Sequence, residues 1–483
     1  MSAQPASTAV SQLEPVIGLE IHVQLNTRTK MFCACPLAFG GEPNTRICPV
    51  CLGLPGALPV PNAEALHFGL MIALAFACEV APRAIFHRKN YFYPDLPKGY
   101  QISQYDEPLA RNGRLGDVRI HRVHLEEDAA KLVHASSSGR IHGSEASIVD
   151  FNRGGTPLVE IVTEPDLRSP EQAAEFGRLL QATLRRLGVS DVNMEEGSLR
   201  IDANVSVRPR GSEQLGTKTE LKNLNSFRFL ERGLAAEIER QRALLQAGEQ
   251  VVQETLHFDP RSGSLTAMRS KEEAHDYRYF PEPDLVPVVP TEEMLARARQ
   301  AIPELPLERA ERFERELGLA PQLARMLAYR FELGDFFEQA LAAADGVDAR
   351  ALANWTTNEL AARLGERDPQ ETALTPAALA SLVAMVQQRR VSAAAAKELL
   401  DRLVEEGGEP ERLVSELGLE LAEADELEAI VERAIRENED AVAKIRGGKV
   451  QAIGAIVGAV MRATQGRADG AEVQRLVRAK LGL

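Results

Sequence analysis

Two ionisable side chains spaced two residues apart give the first chemical signal. In residues 16–25 (VIGLEIHVQL), Leu19, Ile21, Val23 and Leu25 alternate with Glu20, His22 and Gln24. That period of two sets a carboxylate and an imidazole on one face of a strand. The pattern recurs. In residues 200–207 (RIDANVSV), Asp202, Asn204 and Ser206 share a face, and in residues 217–222 Lys218, Glu220 and Lys222 do. A further strand over 118–125, carrying His121 and His124, runs into Glu126, Glu127 and Asp128. One such strand alone reads as an ordinary solvent-facing face. Several in one sheet would form an acidic concavity, and clustered carboxylates repel one another unless cations lie between them. Mg²⁺ uses one or two carboxylates, waters and substrate phosphates, and lysines among the acids would meet those phosphates. Segment 211–218 (GSEQLGTK) has Thr before Lys, the reverse of a phosphate loop. A nucleotide would need another kind of site.

The cysteines form a separate constellation. Cys33 and Cys35 are followed, after twelve residues, by Cys48 and Cys51. Two close pairs around a Gly/Pro-rich loop fit tetrahedral zinc, with free reduced thiols as the alternative. Four thiolates leave no open coordination position, so such a site would brace the fold rather than catalyse. Cys78, in the apolar run 68–81, is expected in the core of a buried helix.

These residues need a framework. A chain of 483 residues with 44% hydrophobic and 26% charged residues suggests two or three soluble domains. Residues 1–14 are expected to be a disordered tail. From 15 to 290 the texture is strand-like, with Gly, Pro and aromatic turns. From Thr291, a good N-cap, it becomes helical. A Gly/Pro break at 405–410 divides a helical domain (291–407) from a tail domain (408–483). The expected class is therefore α+β, with a mainly antiparallel sheet followed by all-α domains. With no apolar stretch long enough to span a bilayer and no signal-like N-terminus, a cytoplasmic location without membrane contact is expected.

A net charge of −14 argues against nucleic acid binding over the whole surface. Residues 441–483 differ: eight basic residues, among them Arg446, Lys449 and Arg462, stand against two acidic ones, a net of +6. A polyanion contact and a solvated basic face both fit this. A glutamine-hydrolysing site would need a Gly/Ser-rich nucleophile loop or an activated cysteine. The run Ser136, Ser137, Ser138, Gly139 reads only as an exposed turn.

Seven segments together carry a family resemblance. They are residues 16–25, RKNYFYPDLPKGYQISQ (88–104), HLEEDAAK (124–131), NRGGTPLVEIVTEPD (152–166), MEEGSLRIDANVS (194–206), TKTELKNLNSF (217–227) and DYRYFPEPDL (276–285). With residues 445–469, they resemble the B-subunit family of the GatCAB tRNA-dependent amidotransferases. The resemblance implies a cradle similar in fold to glutamine synthetase and guanidino kinases. It implies ATP-dependent activation of the side-chain carboxylate of Glu-tRNA(Gln) or Asp-tRNA(Asn), then displacement by ammonia. It implies a metal site on His22 and Glu127, with Glu20, Asp202 and Glu220 around it, holding Mg²⁺ or Mn²⁺. Strand parity instead places Glu126 on the face of His124. Lys89, Lys218 and Asp202 are expected near the nucleotide phosphate, and Arg446, Lys449 and Arg462 against tRNA. Some members carry the cysteine quartet, consistent with structural zinc. A glutaminase A subunit would supply ammonia, and a small C subunit would join the two.

Overall fold

The computed structural model describes residues 13–134, 146–268, 277–343, 346–422, 424–464 and 467–482. Most of the expected tail, together with the Ser136–Gly139 run, lies outside these residues. The chain divides into two units, Met1–Leu305 and Pro306–Leu483.

Among the described residues the first unit contains fourteen strands: β1 (Leu13–Gln24), β2 (Glu79–Val80), β3 (His87–Asn90), β4 (Tyr100–Ser103), β5 (Ala110–Leu115), β6 (Val118–Glu127), β7 (Lys131–His134), β8 (Ser147–Asp150), β9 (Pro157–Thr163), β10 (Leu199–Pro209), β11 (Thr219–Lys222), β12 (Thr255–Phe258), β13 (Leu265–Ala267) and β14 (Phe280–Pro281). Nine form one sheet in the order β13-β12-β11-β10-β1-β9-β6-β5-β2. Every pairing in it is antiparallel except β11 with β12. All four strands singled out in the sequence therefore lie in one sheet. β1 sits near its centre, between β10 and β9.

The alternation in β1 sorts its side chains. Leu19, Ile21 and Val23 are buried, whereas Glu20, His22 and Gln24 remain partly open. The apolar face is covered by α1 (Ala63–Ala75), α2 (Pro170–Arg186) and α3 (Phe227–Gln246). Each begins on a capping side chain: Asn62, Ser169 and Ser226 accept backbone N–H groups of the first turn. α1 approaches closely at Gly69, where a Cβ would stand 2.8 Å from Leu109 and 3.2 Å from Leu125. The helix expected over the apolar run 68–81 stops at Ala75. Ala77 adopts φ +48, which no helix tolerates, and residues 79–80 pair instead with β5. Cys78 is buried, as expected.

A second, three-stranded sheet, β14-β3-β4, lies beside β6. Arg88 on β3 donates two hydrogen bonds to the buried Glu282, at 2.6 and 2.7 Å, tying this sheet to the segment after β14. Thr291 caps α4 (Glu292–Ala301), which packs on α1.

The second unit is helical. One core runs from Ala310 to Val414 and another from Leu427 to Val477. At the expected break, helix Ala393–Glu406 ends on Gly407 (φ +72), followed by Gly408 (φ +116), and Pro410 opens the next helix. No described helix is long and apolar enough to cross a membrane.

Candidate active site

Antiparallel register builds the site. Across β10, β1, β9 and β6, Arg200, His22, Glu160 and His124 pair in one row. Directly paired residues in a sheet project to the same face. Glu20 pairs with Asp202 in the neighbouring row. Glu126, two residues beyond His124, closes the group.

The distances show one cluster. His22 Nε2 lies 3.8 Å from Glu20, 3.6 Å from Glu126 and 3.5 Å from Glu160. His124 Nε2 lies 3.3 Å from Glu160 and 3.6 Å from Glu126. Glu20, His22 and Glu160 offer ligand atoms within 4.8 Å of one another, and so do His124, Glu126 and Glu160. This donor set suits a small cation: carboxylate oxygens for Mg²⁺, with the imidazoles shifting preference toward Mn²⁺.

Glu127 stands apart. β6 continues through Glu127, so the strand keeps its alternation and turns that side chain away from His124. Its carboxylate is ion-paired with Lys98 and accepts the Ile102 N–H at 3.1 Å. Glu126 takes the inward position, held by the Ser103 hydroxyl at 3.0 Å. Glu220 is also removed from the histidines. It binds Lys222 at 2.9 Å and the Thr255 hydroxyl at 2.9 Å. Lys222 bridges Glu220 and Asp202, the latter at 2.7 Å. Lys218 precedes β11 and is exposed.

Electrostatics explain how so many acids coexist. Burial pushes the Glu160 carboxyl up, but His124 and His22 outweigh it and hold it well below the ordinary range. Burial alone would lower His124, yet Glu160 and Glu126 raise it to about 9. His22 is likewise raised against its burial by Glu160, Glu126 and Glu20. The Glu20 carboxyl is raised, by burial first and then by Glu160. Lys89 is raised against its burial by Glu126, with Glu160 adding to it.

A cavity of about 450 Å³ opens over this face, lined by His22, Glu126, Lys89, Arg200, Asp202 and Lys222 among others. A second, of about 270 Å³, lies along β1 in the other direction, bordered by Glu20, Gly18, Thr163, Asn204 and Lys218. Sequence reasoning passes over Glu160 and Arg200. The signal for Glu160 is a lone acid inside the otherwise apolar PLVEIVT run of β9, a burial that needs a partner.

The cysteine quartet also converges. All four sulfurs lie within 4.8 Å of one another. Cys51 Sγ is 3.9 Å from that of Cys35 and 3.7 Å from that of Cys48. Zinc with Zn–S bonds near 2.3 Å sets tetrahedral sulfurs about 3.8 Å apart. The Cys51 thiol is lowered to about 4, first by the hydrogen bond from Cys33 and also by Lys30.

Residues 15–296 match the GatB/GatE catalytic domain, and residues 335–481 match the GatB domain. The chain belongs to the B-subunit family of tRNA-dependent amidotransferases. The aspartyl/glutamyl-tRNA(Asn/Gln) amidotransferase B subunit of Thermomicrobium roseum is 51% identical, covering 96% of this chain and 98% of that protein. The same-named protein of Mycobacterium tuberculosis is 47% identical over 97% of this chain and 94% of its own length. That of Frankia casuarinae is 48% identical over 99% and 97%. The chain is thus one component of an amidotransferase, and its catalytic-domain match takes in the nine-stranded sheet from Pro15 onward.

In the tail, Arg446, Lys449 and Arg462 are exposed. Other basic residues there are neutralised within the chain: Arg467 pairs with Glu426, Arg475 with Glu472, and Lys480 with Glu428 and Glu432.

Proposed function

We propose that this chain activates the side-chain carboxylate of Glu-tRNA(Gln) or Asp-tRNA(Asn) with ATP and passes it to ammonia. The observation that carries this reading is the row Arg200, His22, Glu160, His124 with Glu20 and Glu126 beside it. A carboxylate is a poor electrophile. One of its oxygens attacks the γ-phosphorus of ATP, the bond to the bridging oxygen breaks, and ADP leaves. Ammonia then attacks the carbonyl carbon of the acyl phosphate, inorganic phosphate departs, and an amide remains.

Glu20, His22, Glu126, Glu160 and His124 would hold Mg²⁺ or Mn²⁺, which supplies charge neutralisation at the phosphates. The chain's own cations supply the rest. Lys222 is pinned by Asp202 and Glu220, and Arg200 by Asp128 at 3.2 Å. Fixed in advance, they stabilise charge on the transferring phosphoryl group without reorganising. The nucleotide occupies the cavity bordered by Gly18, Asn204 and Lys218, and the acceptor carboxylate the larger one; Glu20 and Asp202 stand between. The antiparallel sheet with its open polar face is in keeping with a cradle of the glutamine synthetase and guanidino kinase kind. Zinc on the cysteine quartet braces it. A partner glutaminase, the A subunit, delivers ammonia, a small C subunit joins them in the cytoplasm, and the tail domain (408–483) grips tRNA through its basic end (441–483), beyond the helical domain (291–407).

The test is ATP hydrolysis by the reconstituted complex, with and without mischarged tRNA. Glu20→Gln and His22→Ala are expected to abolish the tRNA-dependent rate. Undiminished rates in both would exclude this site.

A further inference from the structure

β6 breaks its own alternation on the way into the site. Val118 and Ile120 are buried, and beyond them Val123 and Leu125 are. The buried apolar positions thus change from even to odd numbers within one strand. The register shows where. Ile120 pairs with Thr163 of β9, but Arg122 pairs with Val162 and His124 with Glu160. Two steps along β6 match one along β9, so His121 is the extra residue of a β-bulge. A bulge re-aims the side chains that follow it. Here it turns Arg122, His124 and Glu126 onto the face that carries Glu160 and His22.

The guanidinium of Arg122 donates to Glu160 Oε1 at 3.1 Å, and its Nε lies 3.4 Å from His124 Nδ1. The other oxygen of Glu160, Oε2, is the one near His22 and His124. Glu126 repeats the arrangement. The hydroxyl of the buried Ser103 donates to its Oε2 at 3.0 Å, and Oε1 is the oxygen 3.6 Å from His22. Each buried carboxylate therefore has one oxygen engaged by a donor of the chain and one turned toward His22.

We propose that Arg122 and Ser103 are positioning residues that set which ion the cluster accepts, favouring Mg²⁺ over Ca²⁺. The inference rests on the function proposed above. Ca²⁺ takes about six to eight oxygens and often grips both oxygens of one carboxylate, whereas Mg²⁺ takes one or two carboxylates in a strict octahedron and keeps its waters. Glu160 or Glu126 can offer Ca²⁺ a second oxygen only by breaking its bond to Arg122 or Ser103. Hydrogen bonds to an ionised carboxylate are among the stronger ones. A carboxylate held to one free oxygen suits Mg²⁺ as it stands, so the two donors act against the larger ion alone.

The experiment uses the full-length chain in its assembled complex, without nucleotide. Mn²⁺ is the probe, its free fraction read by electron paramagnetic resonance, and Mg²⁺ and Ca²⁺ are titrated as competitors. In the unaltered complex Mg²⁺ is expected to displace Mn²⁺ at lower concentration than Ca²⁺ does. Arg122→Met is expected to shift the ratio of the two midpoints toward Ca²⁺ about tenfold or more, the worth of one hydrogen bond to a charged group. Ser103→Ala, which removes only a hydroxyl, is expected to shift it in the same direction. Loss of packing or of charge alone acts on both ions alike and leaves the ratio where it was. A ratio unchanged in both variants overturns the inference and leaves the proposed function standing, as does an unaltered complex that prefers Ca²⁺. Mn²⁺ bound undiminished by His22→Ala would remove the metal cluster itself, and the proposed function with it.

Discussion

His22 and Glu160 face each other across the β1–β9 pair, with Nε2 3.5 Å from Oε2, and the same carboxylate oxygen lies 3.3 Å from His124. One buried acid thus joins two imidazoles from different strands. Glu160→Gln keeps the shape and removes the charge. Loss of at least about a hundredfold in tRNA-dependent ATP turnover is expected, the scale of removing one fixed electrostatic group from an active site. Steady-state kinetics, with thermal melting as the control for folding, checks this.

The adjacent glutamates should behave differently. Glu126→Gln is expected to lower kcat, because that side chain points at His22 and His124. Glu127→Gln leaves the nearly buried Lys98 without its counter-charge. Breaking such a pair costs about 3–5 kcal/mol, so its main effect should be on unfolding. Measuring kcat and denaturant midpoint for both variants separates the roles. A larger loss of kcat from Glu127→Gln would return the catalytic assignment to Glu127.

Purified protein is expected to carry about one zinc ion per chain on the cysteine quartet. Cys48→Ser should abolish it and lower Tm by several degrees while leaving kcat at low temperature nearly intact. Elemental analysis and calorimetry are the readouts. Zinc-free protein of unchanged stability would identify the cysteines as free thiols.

In the helical unit, Glu338 is ion-paired to Arg309 and Arg312. Burial pushes its carboxyl up, but the two guanidiniums outweigh this and hold it below its ordinary value. A depressed carboxylate contributes stability above the unfolded pKa, near 4.3, and loses it as pH falls through the folded value. The contribution is below about 1 kcal/mol, since one-third exposure admits solvent screening. Melting curves of wild type and Glu338→Gln should therefore differ slightly at pH 7 and converge in acid.

Charge reversal at Lys449 and Arg462 should weaken tRNA binding and reduce the slope of log K against log salt by roughly one to two, one per lost phosphate contact. A salt titration of binding by the double variant is decisive. An unchanged slope would make these residues a solvated face.

The sequence made some of this legible and concealed the rest for physical reasons. β1 announced itself because its two faces meet different solvents, so polar and apolar residues alternate without exception from Leu19 to Gln24. β9 hid Glu160 because both its faces are covered, leaving a uniform apolar run that shows no period. The choice between Glu126 and Glu127 depended on where β6 ends, and strand ends are set by pairing partners rather than by local residues. Here Pro157 and Leu158 of β9 extend the strand to Glu127. Contacts between distant aromatic rings were least visible. Tyr105 and Tyr279 stack across a long stretch of chain that only the folded topology closes.

The central place of β1 also governs how the molecule must be made. Its partners, β9 and β10, lie about 140 and 180 residues downstream, as the pairs His22 with Glu160 and Glu20 with Asp202 record. At roughly 5–20 residues per second, a ribosome needs about ten to forty seconds to deliver the second of them. Throughout that interval the apolar VIGLEIHVQL ribbon has emerged with both hydrogen-bonding edges open, the condition that invites pairing with other chains. The strand at the heart of the finished site is thus a segment that needs a chaperone's cover during translation.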